Sequence, residues 1–125
     1  MRSLLLTALL LTAPASYAGT CISATGNTRD AEKLAHVYCD NDPGFASAYQ
    51  VKMAPDYITL RVSLLPAPLS AVRAEAGAIK AATLLGGSLL RLSGTVYVVF
   101  VPVRLGDPPP FRTVILRAGQ TPVVE

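Results

Sequence analysis

Only a handful of side chains in this sequence combine types and spacings that could do chemistry. His36 is the single histidine. It follows Glu32 by four residues, a spacing that offers a pH-sensitive pair on one helix side or one metal ligand. A lone imidazole with no second nitrogen or thiolate nearby does not make a zinc site, so no metal is expected. Asp40-Asn41-Asp42-Pro43-Gly44 offers oxygens at alternate positions, as calcium loops do, but lacks the closing bidentate glutamate. It reads as a solvated turn.

Catalysis is hard to assemble. No serine lies close in sequence to the one histidine, and a cysteine nucleophile would require both cysteines to be free. Acid–base work by paired carboxylates remains open in principle, through Glu75 or the Asp40/Asp42 loop. Glu75 is the acid out of pattern, because a helical wheel sets it between Ala71 and Ile79, beside the apolar side. No glycine-rich phosphate loop is present, since Gly86-Gly87 follows a helical stretch instead of opening one. No cofactor is expected.

Cys21 and Cys39 are the only cysteines. Arg2, the apolar run Leu4 to Leu11 and the small residues of Ser16-Tyr17-Ala18 make a secretory leader spanning residues 1–18. That run is far short of the roughly 20 residues needed to span a bilayer, so no membrane span is expected after cleavage. A chain exported to the periplasm or outside the cell meets oxidising conditions, so a Cys21–Cys39 disulfide is the default. Two alternatives stand: a lipid on Cys21, for which Ala18-Gly19-Thr20 is a poor signal, and a buried free thiol at Cys39.

Residues 19–125 suit a single small domain. Without Arg2, ten basic residues stand against eight acidic ones, a charge of +2. That is too mild to argue for nucleic acid or an anionic membrane. Arg73, Lys80 and Arg91 share one side of a helical wheel and form a candidate basic stripe. Arg61, Arg104, Arg112 and Arg117 sit on or beside strands, and together these cations could serve a weak polyanion binder. No aromatic residues interleave with them, as single-strand binding would want.

The elements that must position these residues centre on Leu69 to Val103. Leu69, Val72, Ala76, Ile79, Thr83 and Leu90 recur with helical period, and Ala71, Ala74, Ala78, Ala81 and Leu85 make a second, small-residue side suited to a closely packed helix. Pro66 and Pro68 suit the start. Gly77 costs about 1 kcal/mol inside a helix and is explained by close packing. Gly86-Gly87 is the expected end, with a further turn over Ser88 to Leu92. Thr95 to Val101 is β-branched and aromatic throughout and reads as a central strand. Before it come a helix over Thr28 to Cys39 and two alternating strands, Ser47 to Met53 and Tyr57 to Leu65, joined as a hairpin. After it, Arg112 to Arg117 forms a fourth strand, and the tail from Ala118 is compatible with a loose end or an edge strand through Pro122-Val123-Val124.

The expected fold is therefore α+β: two helices on one face of a four-stranded, mainly antiparallel sheet, in the order α-β-β-α-β-β. The opposite face, with Tyr97, Val99 and Val101, is the candidate interaction surface. The expected function is a small exported non-enzymatic binding protein, meeting another protein or a second copy through this face or a sheet edge. A small hydrolase and a polyanion binder are the alternatives.

Overall fold

The computed structural model describes residues 21–103 and 110–125. The expected leader over residues 1–18 and Arg104 lie outside the described residues. Among the described residues there are six strands: β1 (Ile22–Ser23), β2 (Ala46–Met53), β3 (Ile58–Leu64), β4 (Thr95–Pro102), β5 (Arg112–Arg117) and β6 (Val123–Val124). Three α-helices accompany them: α1 (Arg29–Asp40), α2 (Pro66–Ala71) and α3 (Glu75–Gly86), the last running into a 3-10 turn over Gly87–Arg91.

The strands lie side by side in chain order. β2–β3, β4–β5 and β5–β6 are antiparallel. β1–β2 and the central β3–β4 are parallel. The sheet is thus six-stranded and mixed, with three helices, and the expected four-stranded, mainly antiparallel sheet with two helices is corrected. The physical reason lies in the crossover. A chain that leaves β3 and returns through helices arrives back at the end where β3 began, and so pairs parallel. β1 and β6 have two residues each, too few to display a period of two.

α1 begins where the sequence provides a cap: Thr28 Oγ1 accepts from the Ala31 amide at 3.0 Å, and Asp30 and Glu32 stand in the positive first turn. The long helix expected from Leu69 onward is broken at Val72–Ala74 into α2 and α3. Gly77 makes the elbow possible, since a Cβ there would lie 2.1 Å from the Ala71 carbonyl oxygen. Gly86 does the same against the sheet, where a Cβ would lie 2.7 Å from Val98 Cγ2 and 3.1 Å from Leu116 Cδ1. The buried line of α3 is Ala78, Ala82 and Gly86, so its small residues bring it onto strands and not, as expected, onto another helix.

The core joins one side of every main strand to the helices. Tyr49, Val51, Leu60, Val62, Val98, Phe100, Val114 and Leu116 are buried together with Ala31 and Ala35 of α1, Val72, and Ala78 and Ala82 of α3. The registers Val51↔Leu60, Leu60↔Val98 and Val98↔Val114 put these strand residues on the same face. All three helices therefore cover that face.

Candidate functional site

The opposite face carries the alternate residues of the same strands. Two rows cross it. Lys52, Thr59, Tyr97, Ile115 and Val123 are successive register partners, and so are Gln50, Arg61, Val99 and Thr113. Tyr97 and Val99 are half-buried, while Val101 is buried at 1% exposure, so solvent reaches only the first two of the three candidate surface residues. Tyr57, exposed at the start of the β3 segment, meets Tyr97 edge to face with ring centroids 5.3 Å apart. Val123 extends the apolar row to the sheet edge and is 47% exposed.

Beside this aromatic pair is a hollow of about 90 Å³ lined by Gln50, Lys52, Thr59, Arg61 and Val99. Gln50 is held in place because its Nε2 donates to the Thr25 carbonyl at 2.8 Å. None of the four main strands contains an acidic residue. Arg117, opposite Thr95, adds a third cation to this face.

Both edges of the sheet are short. β1 covers only Ala48 and Tyr49 of β2. Further along, the Asn27 side chain imitates a strand: its Nδ2 donates to the Met53 carbonyl at 2.7 Å and its Oδ1 accepts the Met53 amide at 2.9 Å. Asn27 reads in the sequence only as a helix entry, because local pattern carries no sign of a partner 26 residues away. Edges this short offer little ladder for strand addition.

On the helical side, a cleft of about 300 Å³ opens between α1 and α3, with Leu34, Val37, Leu84 and Leu85 among its walls. Its floor is occupied by groups that satisfy one another. Asp42 Oδ2 accepts the amides of Gly44, Phe45 and Ala46 at 3.0, 2.9 and 3.3 Å, and its Oδ1 accepts the Tyr49 hydroxyl at 2.7 Å. Burial, and then the Asp42 carboxylate, hold the Tyr49 phenol well above its ordinary pKa. Tyr38 stacks on Tyr49 at 5.2 Å and donates to the Leu85 carbonyl; burial raises its pKa, opposed by a hydrogen bond with Ser88.

No family model, no curated protein and no solved structure matches this chain.

The other candidate residues are placed as follows. Cys21 and Cys39 form a disulfide, with Cα atoms 5.5 Å apart, which ties β1 to the last turn of α1. Glu75 opens α3 and is exposed, where its charge suits the helix N-terminus. The wheel set it beside an apolar side only because the wheel ran unbroken through the elbow. Asp40 is exposed, and both oxygens of Asp42 are engaged, one by amides of the following residues and the other by the Tyr49 hydroxyl of β2. No group of three or more His, Cys, Asp or Glu side chains that could hold a metal occurs among the described residues. The elbow also takes Arg73 off the helix that carries Lys80, and Arg91 closes the 3-10 turn. Arg73 instead lies over the Phe111 ring at 5.8 Å, and its carbonyl accepts from Arg112. His36 lies within hydrogen-bond distance of Ser23, 2.9 Å from Nδ1 to Oγ, on an exposed surface. The disulfide brings this pair together, and spacing alone does not reveal it. No described helix is long and apolar enough to cross a membrane.

Proposed function

We propose that this is an exported, non-enzymatic binding module that presents the face of its sheet that no described helix covers to an acidic protein partner. The observation that supports it is the one-sided packing of the helices, which leaves Tyr57, Tyr97, Val99 and Val123 to solvent beside Lys52, Arg61 and Arg117. Apolar side chains rimmed by charge are the composition of a protein contact surface. Strands β2 to β5 contribute cations and no acid to this face, while Glu125, whose amide donates to the Thr113 carbonyl at 2.8 Å, stands at the β6 edge. Two copies meeting face to face would oppose cation to cation, so complementarity favours a partner that supplies carboxylates. The short edges favour the face over strand addition. Export rests on the leader-like residues 1–18 and on the disulfide, which persists in oxidising compartments.

A photoreactive amino acid placed at Val99, with Leu84 on the far side of the molecule as control, tests this in cells that make the full chain. Leu84 is 82% exposed on α3. Irradiation is expected to join position 99, and not position 84, to one distinct protein with an acidic surface. Adducts of the chain with itself would replace the proposed partner by a second copy. Adducts from position 84 alone, or none from either position, would refute the reading.

A further inference from the structure

The cleft between α1 and α3 lies on the helical side of the molecule. Its lips are apolar: Val37 of α1 is 55% exposed and Leu84 of α3 is 82% exposed. Half-buried Leu34 and Leu85 complete these walls, and Tyr38 and Tyr49 are stacked on the floor. Its polar groups have little bonding capacity left for a charged ligand. Asp42 is the only charged side chain in the lining. A carboxylate has about four acceptor sites, and Asp42 already accepts three amides and the Tyr49 hydroxyl. Tyr38 spends its hydroxyl proton on the Leu85 carbonyl, and the Asn41 side chain donates to the Val37 carbonyl at 2.8 Å. Among the described residues, no buried side-chain nitrogen or oxygen of the cleft lacks a partner. An ammonium would find no free acceptor on Asp42, and a carboxylate would meet that acid with no lysine or arginine in the lining.

We propose that this cleft binds an uncharged aromatic molecule of about two fused rings. The satisfied polar floor disfavours charge, and an apolar occupant takes the exposed sides of Val37 and Leu84 out of water, which drives binding. The volume sets the size. An apolar cavity of about 150 Å³ takes benzene. This cleft, at about 300 Å³, has room for a larger ring system. The tyrosine stack favours a planar ring over an aliphatic one of equal area, because aromatic pairs attract beyond the area they bury. The site is independent of the sheet face, so either can fail alone.

Indole is the probe. The chain contains no tryptophan, so fluorescence excited beyond the tyrosine band reports the probe alone. The folded, disulfide-bonded protein is titrated into indole, and a single saturable site with blue-shifted emission is expected. Leu84→Ala removes one lip at an exposed position and is expected to weaken binding about fivefold. Leu92→Ala, at a position 59% exposed and outside the cleft, is expected to leave it unchanged. Indole-3-acetate, which adds a carboxylate, is expected to bind about tenfold more weakly than indole. Cyclooctanol, of similar size without a π system, is expected to be the weaker competitor. The absence of a saturable site, or equal weakening by Leu84→Ala and Leu92→Ala, would overturn the site. Equal affinity for indole-3-acetate would overturn the assignment to an uncharged ligand, and tighter binding of cyclooctanol would overturn the assignment to an aromatic one.

Discussion

Gly77→Ala separates helix propensity from tertiary geometry, because the two demand opposite signs. In an isolated helix the change is favourable by about 1 kcal/mol, since alanine loses less backbone freedom. In this fold the added Cβ would lie 2.1 Å from the Ala71 carbonyl oxygen. An ordinary carbon–oxygen contact is about 3.3 Å, so something must move by about 1 Å. The obstacle is backbone, and Ala71 is the last residue of α2, so the α2–α3 elbow itself must open. Overpacking of this kind costs about 1–3 kcal/mol, and a backbone obstacle belongs at the upper end. The net expectation is a loss of about 2 kcal/mol, or a fall in Tm of about 8–15 °C for a domain of this size. Gly87→Ala is the matched control. Gly87 has helical angles, φ −59° and ψ −37°, and nothing within 4 Å of a Cβ. That change is expected to stabilise by about 0.4–1 kcal/mol. Urea denaturation of both variants with the disulfide intact gives the two signs. A Gly77→Ala protein as stable as the parent would refute the elbow argument.

Two further outcomes can be measured on the same material. Replacing Cys21 and Cys39 together by serine is expected to lower stability by about 3 kcal/mol, through the freer unfolded chain, and to lower the denaturation midpoint accordingly. An unchanged midpoint would show that the bridge adds nothing to the fold. In alkali, the phenols of Tyr38 and Tyr49 hold their protons more tightly folded than unfolded. Their contribution to stability is therefore complete below about pH 10, the unfolded value, and falls as pH rises above it. Absorbance at 295 nm is expected to show the phenolates of Tyr38 and Tyr49 appearing only with unfolding; their ionisation in the still-folded protein at about pH 10 would contradict this.

The sequence carried local structure well and long-range pairing poorly. Arg112–Arg117 forms the strand that its alternation predicts, and Ala46–Met53 with Ile58–Leu64 forms the predicted hairpin, because a period of two joined by a tight turn is local information. Local pattern offers Asn27 or Thr28 as the cap of α1, and Thr28 takes it. The parallel pairing of β3 with β4 depends on where a crossover returns, and no residue in either strand encodes it. The break at Val72–Ala74 has no glycine or proline of its own; the residue that permits it, Gly77, looks in sequence like a tolerated defect. On the candidate surface, alternation predicts that Tyr97 and Val99 share a face. That Lys52, Thr59 and Arg61 share it with them follows only from the register between strands.

The parallel join at the middle of the sheet also sets an order of assembly. The hairpin of β2 and β3 closes through the short turn at Ala54 to Tyr57. Its bond to β4 must wait until the chain from Leu65 to Gly94 has come round, and that loop carries the entropy of its length before any contact repays it. Two hairpins are therefore expected to form as separate halves, with the seam between them as the slow step of folding. During that interval β4, rich in valine, has no partner on its β3 side. Pulsed hydrogen exchange is expected to find the β3–β4 amides protected last, and protection of these amides before the hairpins would reverse this order.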